Sequence, residues 1–322
     1  MRRKVLQIGA ALLGLMAIGE LAARVLFGLG NPVLYVADPR MEYMMKPSQD
    51  VMRFGRHIVV NEYGMRSEAI AKNKASAREL RVLVVGDSVV NGGNRIDQAQ
   101  LATTRLQRML ATATGRPVVV GNVSAGSWGP QNMLAWLQRF GLLHADVLVL
   151  VLSSHDASDV PTFAPLDPAT HPTVRPKTAL GEGLAAVFRR YGSGALARKS
   201  VVAEVASERR PPDDAAIEAL RELLRYAGEA GTCVTVVQHF TRSELSEGPG
   251  PGHEAIQLAA GESGATVLDD EPALSAELRL GHVPYQDNIH LSEPGQGVLA
   301  GVLMEAVQRC QRPEAGRNVT GS

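Results

Sequence analysis

Ser88 lies just past a six-residue, valine-rich run, residues 80–85 (Leu-Arg-Val-Leu-Val-Val), and directly after Gly86-Asp87. A run of that length bounded by turn residues predicts a strand buried on both faces, as in a parallel sheet. Glycine lets the chain turn sharply, so the serine falls just beyond the strand's C-terminal edge. Open α/β sheets hold their ligands at that edge. A serine there, opening a helix, has backbone N–H groups facing whatever its oxygen attacks. Three readings compete. Asp87 or Ser88 could simply cap the helix. A phosphate loop lacks its motif, since neither G-x-x-x-x-G-K-[ST] nor G-x-G-x-x-G is present. A serine nucleophile needs a histidine base and a carboxylate to orient it.

Asp287-Asn288-Ile289-His290 supplies both. Of the eight histidines, only His290 has an aspartate three positions before it. On a turn, that spacing folds the carboxylate back onto one ring nitrogen and leaves the other facing the serine. By itself D-x-x-H is also compatible with a plain polar loop. The following Leu291-Ser292-Glu293-Pro294-Gly295 favours the functional reading. Ser292 is a helix cap with Pro294 in the first turn, which fixes His290 just before a helix.

Gly86-Asp87-Ser88 and Asp287-x-x-His290 resemble the first and last sequence blocks of the SGNH (GDSL-type) hydrolases. The resemblance covers roughly residues 80–310. It implies a three-layer α/β sandwich around a mostly parallel sheet, with Ser88 as nucleophile, His290 as general base and acid, and Asp287 as its partner. The family's second block is a glycine whose N–H serves the oxyanion hole, and the segment 122–129 matches it with Gly126. The third block is normally Gly-x-Asn-Asp. Here it is Ser153-Ser154-His155-Asp156, with His155 where the asparagine donor stands. Imidazole can donate a hydrogen bond, so the resemblance implies an oxyanion hole of Ser88, Gly126 and His155. Asp156, and Trp128 in the Gly126 loop, are expected to contact substrate. No cofactor and no metal is expected.

These groups need elements to carry them. Strands are predicted at 80–85, 118–122, 146–152, 232–237 and 265–268, and amphipathic helices at 98–114, 130–143, 253–263 and 294–309. That β-α-β rhythm predicts a sheet covered on both faces. Residues 58–60 form a short strand and 61–64 a turn, in a connecting region, 31–79, that packs on the main domain. The hydrolase domain is expected at 80–312 and a flexible tail at 313–322. An insertion at 157–212 starts with five prolines between 161 and 176, so it begins as a loop. It continues as a basic helix, 183–208, with Arg189, Arg190, Arg198 and Lys199. It is either a lid over the site or a surface excursion.

Met1-Arg2-Arg3-Lys4 is a basic start, followed by the uncharged stretch 5–19. The span from 5 to 30 is long enough to cross a bilayer if Glu20 and Arg24, four apart, pair or lie near the interface. The basic end stays cytoplasmic, so the catalytic part is exported as a membrane-anchored domain. A signal peptide cleaved at Ala17-Ile18-Gly19 is the alternative. Lysine plus arginine equals aspartate plus glutamate, 33 each, and 4% of residues are aromatic. Neither value suits a nucleic-acid partner. Cys233 is expected to be a buried thiol and Cys310 lies far from it in sequence. His239, His155 and His282 are each read as structural or, for His239 after its strand, cleft-lining. The expected function is an exported serine esterase, acting on O-acetyl groups of a cell-surface or extracellular glycan. The alternatives are an O-acetyltransferase with the same triad and a non-catalytic glycan-binding or assembly protein.

Overall fold

In the computed structural model, residues 2–191 and 210–311 are described. Leucine and alanine dominate the first helix, α1 (Arg2–Phe27), which is 26 residues long. It is long and apolar enough to cross a membrane, which fits an anchor or a signal sequence.

Two antiparallel hairpins follow: β1 (Tyr35–Asp38) with β2 (Glu42–Met45), and β3 (Gln49–Arg53) with β4 (Arg56–Val60). Only the last of these strands was anticipated. The others are four or five residues long and too short for a period to stand out. Met41, Tyr43 and Met44 of this region join the main core.

The central sheet is built from β5 (Leu80–Gly86), β6 (Val118–Ser124), β7 (Val147–Ser153), β8 (Cys233–His239) and β9 (Thr266–Asp269). Its order is β6-β5-β7-β8-β9 and every pairing is parallel. β7 shows why the sequence folds this way. Val147, Val149 and Val151 join one core, while Leu148, Leu150 and Leu152 join the other. A strand apolar on both faces must be covered on both. One face is covered by α2 (Ser88–Asn91), α3 (Ala102–Thr114) and, at the chain's end, α10 (Glu293–Gln311). The other carries α4 (Pro130–Phe140), α6 (Asp214–Glu229) and α8 (Pro251–Glu262). The expected three-layer α/β class is therefore what the chain adopts.

α6 was not anticipated, although Asp213 caps it and Ile217, Leu220, Leu223 and Leu224 recur at helical spacing. The insertion runs as a loop into α5 (Ala179–Tyr191). The helix expected over 183–208 thus begins at 179, and its part beyond 191, with Arg198 and Lys199, lies outside the described residues, as does the tail from 312. Among the described residues there are also short α7 (Glu244–Glu247), α9 (Glu271–Arg279) and two 3-10 turns, Gln98–Gln100 and Ser154–Ala157.

One expectation is corrected. Cys233 is no buried thiol: it is exposed at the start of β8 and bonded to Cys310 near the end of α10. α10 lies across β8, which brings its last turn to that rim of the sheet.

Candidate active site

The sheet order reverses at β5, whose neighbours β6 and β7 follow it in sequence on opposite sides. Ligands of open α/β sheets collect at such a switch point, beyond the strands' carboxyl ends. β5 ends there on Gly86. A Cβ on this residue would lie 2.6 Å from Val90 Cγ2 and 2.9 Å from the Val151 carbonyl, so only glycine lets α2 fold back this tightly. Asp87 caps α2, its Oδ1 accepting from the Val89 N–H at 2.8 Å, so the capping reading of Asp87 holds as well.

His290 reaches Ser88 across 202 positions of sequence: Nε2 lies 3.0 Å from Ser88 Oγ. Its Nδ1 lies 3.0 Å from both carboxylate oxygens of Asp287. Asp287 Oδ1 also accepts from the backbone N–H groups of His290 at 2.8 Å and Ile289 at 3.2 Å. The turn expected from the three-residue spacing is thus made by the carboxylate itself. Burial would raise the Asp287 carboxyl, but the hydrogen bonds from the His290 ring and backbone outweigh it and hold the group below its usual range. Both side chains stay open to solvent, at 41% and 38% exposure. Ser292 Oγ accepts from the Gly295 N–H at 3.3 Å, so the predicted cap of α10 is present.

Gly126 sits in the loop after β6, half-buried, and its carbonyl accepts from the Tyr43 hydroxyl. His155 lies after β7. Its Nε2 is 3.4 Å from Asp87 Oδ2, 3.7 Å from Asp159 Oδ2 and 3.9 Å from Asp156 Oδ1, and its Nδ1 is enclosed with no partner. Burial alone would lower this imidazole, but Asp156, Asp87 and Asp159 together raise it to about 10. The surrounding carboxylates thus favour the charged form of His155 behind the serine, while burial and the neighbouring Asp87 push the Asp156 carboxyl well above its usual range. Asp87, His155 and Asp156 are close enough to hold a metal ion, with ligand atoms within 4.8 Å of one another.

Two expected substrate contacts are corrected. Trp128 is buried in the main core and spends its indole N–H on the Tyr43 carbonyl at 2.9 Å. Asp156 is fully buried, and its Oδ2 accepts from the Ser153 N–H at 2.7 Å. Both are buried and brace the loops around the site from below.

Several further residues fix the site, and of these the sequence singles out only His239. His239, fully buried, lies 2.5 Å from Asp270 Oδ2 through Nδ1 and 2.9 Å from the Ile289 carbonyl through Nε2. Burial would lower it, but Asp270 raises it to about 9, so both nitrogens donate. It belongs behind the catalytic loop rather than lining the cleft. The Tyr285 hydroxyl donates to the Phe240 carbonyl at 2.6 Å, and the Arg242 N–H to the Asn288 carbonyl at 2.7 Å. Arg66 is buried and donates to the carbonyls of Asn91, Gly93 and Ile96, gripping the loop after α2. None of these carries a local motif. His239 alone had a signal, its place at the end of a strand.

No family model and no curated protein matches the chain. Solved structures similar to it include a lipolytic protein of the G-D-S-L family from Veillonella parvula DSM 2008, at 12% identity over 71% of this chain and 99% of that one, TM-score 0.44. A two-domain esterase active on acetylated mannans matches at 12% identity over 74% of this chain and 51% of that one, TM-score 0.48. A variant of an acetyl xylan esterase from Geobacillus stearothermophilus matches at 12% identity over 74% and 97%, TM-score 0.45. What the site can do chemically follows from its own side chains.

Proposed function

We propose that the chain is a serine esterase of the SGNH type, exported and held to the membrane by α1, that removes O-acetyl groups from a cell-surface or extracellular glycan. The observation that carries this reading is that His290 lies 3.0 Å from Ser88 Oγ through Nε2 and 3.0 Å from the Asp287 carboxylate through Nδ1. A serine is a weak nucleophile until an adjacent base takes its proton. In this reading His290 accepts the Ser88 proton as Oγ attacks the ester carbonyl. Asp287 holds the ring's orientation and stabilises the imidazolium that forms. The backbone N–H groups of Ser88 and Gly126 receive the oxyanion, and His155, at the family's asparagine position, backs the site with its Nε2 facing Asp87. His290 then returns the proton to the leaving sugar hydroxyl. Water, activated by the same imidazole, releases acetate from the acyl-enzyme.

Export is supported by α1 and by the Cys233–Cys310 bridge, since disulfides persist in oxidising compartments. Acetate release from acetylated xylan and from an aryl acetate tests the reading. The wild type should release acetate, and Ser88→Ala should lose at least about 10⁴-fold in kcat. Wild-type protein inert on every acetylated ester tried would refute it.

A further inference from the structure

We propose that the exported domain rests on the outer surface of the bilayer through an apolar collar around the end of α1, formed by the β3–β4 hairpin tip and α5. The inference rests on the reading of α1 as an uncleaved anchor.

The geometry at the end of α1 is fixed. The Phe54 N–H donates to the Phe27 carbonyl at 2.9 Å, and Arg53 Nη1 donates to the Gly28 carbonyl at 3.0 Å. Gly28 takes φ +65° with the Met52 carbonyl only 1.9 Å from where a Cβ would stand, so hairpin and helix end share one backbone contact that no other residue fits. From the other side, Glu20 accepts from the N–H groups of Ala179 and Leu180 at 2.8 and 2.9 Å, at the start of α5. Glu20 also pairs with Arg24. Glu182 of α5 binds Arg53 at 2.6 Å and the Gly30 N–H at 2.5 Å. The acid that sits awkwardly in an apolar span is thereby neutralised by the helix it receives.

This junction presents large apolar side chains to solvent. Phe27, Met52, Phe54, Leu184, Val187 and Phe188 are each at least 50% exposed. Leu184, Val187 and Phe188 share one face of α5 by their i, i+3, i+4 spacing. Phe54 is the most telling. It occupies the hairpin turn with Gly55, at φ +49° and +73°. Turns of this kind favour Asn-Gly, and a bulky residue at positive φ is strained. Here an aromatic ring is kept in a strained conformation and left half in water. Strain retained at an exposed position points to a use.

The lipid surface is the occupant these features select, because the patch is continuous with α1. A hydrocarbon core of about 30 Å takes about 20 helical residues. Counted from Val5, it ends near Arg24. Phe27 and the hairpin tip then sit at headgroup depth, where aromatic side chains concentrate, and the start of α5, bound to Glu20, lies about one helical turn deeper. Single cysteines at Leu12→Cys, Phe54→Cys, Leu184→Cys and Leu258→Cys, labelled with an environment-sensitive dye, test this in the full chain in phosphatidylcholine–phosphatidylglycerol vesicles. The native cysteines are bonded to each other and do not compete. Nitroxide lipids labelled near the headgroup should reduce the fluorescence at positions 54 and 184 and leave position 258, exposed on α8, unchanged. Deep-labelled lipids should quench position 12. Quenching at 12 without quenching at 54 and 184 overturns the collar while the anchor stands. No quenching at 12 removes the anchor and the collar with it. Neither result bears on the Ser88 chemistry, which the acetate assay reads separately.

Discussion

Gln296 Nε2 donates to the Val89 carbonyl at 3.0 Å, joining the first turn of α10 to the residue that follows the serine. The same side chain accepts from the Ala102 N–H at 2.8 Å through Oε1. It is fully buried, six positions after His290, and it closes a link 207 residues long. The serine and its base are thus held by one amide that belongs to neither.

That link gives the first prediction. Gln296→Leu leaves a buried carbonyl and a buried N–H without partners, which costs about 1–3 kcal/mol for each. Loss of register between Ser88 and His290 should lower kcat by up to about 10²-fold, with KM little changed. Steady-state kinetics on an aryl acetate, beside a thermal melt showing that the variant folds, check it. Unchanged kcat in a destabilised protein would make Gln296 a purely structural residue.

The charged buried histidines give a pH dependence. His239 and His155 have folded-state values of about 9 and about 10. Both exceed the unfolded value of about 6.5. The folded state therefore binds more protons, and stability falls as pH rises between the two values. The contribution is complete below about pH 6.5 and is lost as pH rises through about 9 for His239 and about 10 for His155. Melting temperature should drop from pH 7 to pH 10, and His155→Asn should flatten that drop. A melting temperature that holds level across this range in the wild type would contradict the charged state of both rings.

His155→Asn also tests the departure from the family pattern. Asparagine can donate as the family's residue does, so the variant should keep activity within about ten-fold, whereas His155→Ala should lose about 10²–10³-fold in kcat. Equal activity in all three proteins would remove His155 from the reaction.

The disulfide links the start of β8 to the end of α10 across 77 residues. Replacing both cysteines by serine should cost about 2–4 kcal/mol of stability. Activity at 25 °C should persist, because the bridge lies at the opposite rim from Ser88. Chemical denaturation of the two proteins gives the difference directly.

What could be read from the sequence was whatever is local. β5 and β7 are runs made mostly of valine and leucine, as a doubly covered sheet requires. The Asp287-to-His290 turn and the Ser292 cap each complete themselves within four residues. The rest depends on partners far away in sequence. His239 needs Asp270 and the Ile289 carbonyl before it has a role. Cys233 and Cys310 meet only because α10 crosses β8. Trp128 is expected at a surface until the hairpin carrying Tyr43 covers it. α6 was the exception, since Asp213 and its leucine spacing were there to be read.

Intact-mass and peptide-level analysis after reaction with a fluorophosphonate tests the central claim most directly. The wild type should carry one adduct, on the peptide containing Ser88, and His290→Ala should acquire it far more slowly. Ser88→Ala should remain unmodified. An adduct on any other residue, or equal labelling of Ser88→Ala, would contradict the account.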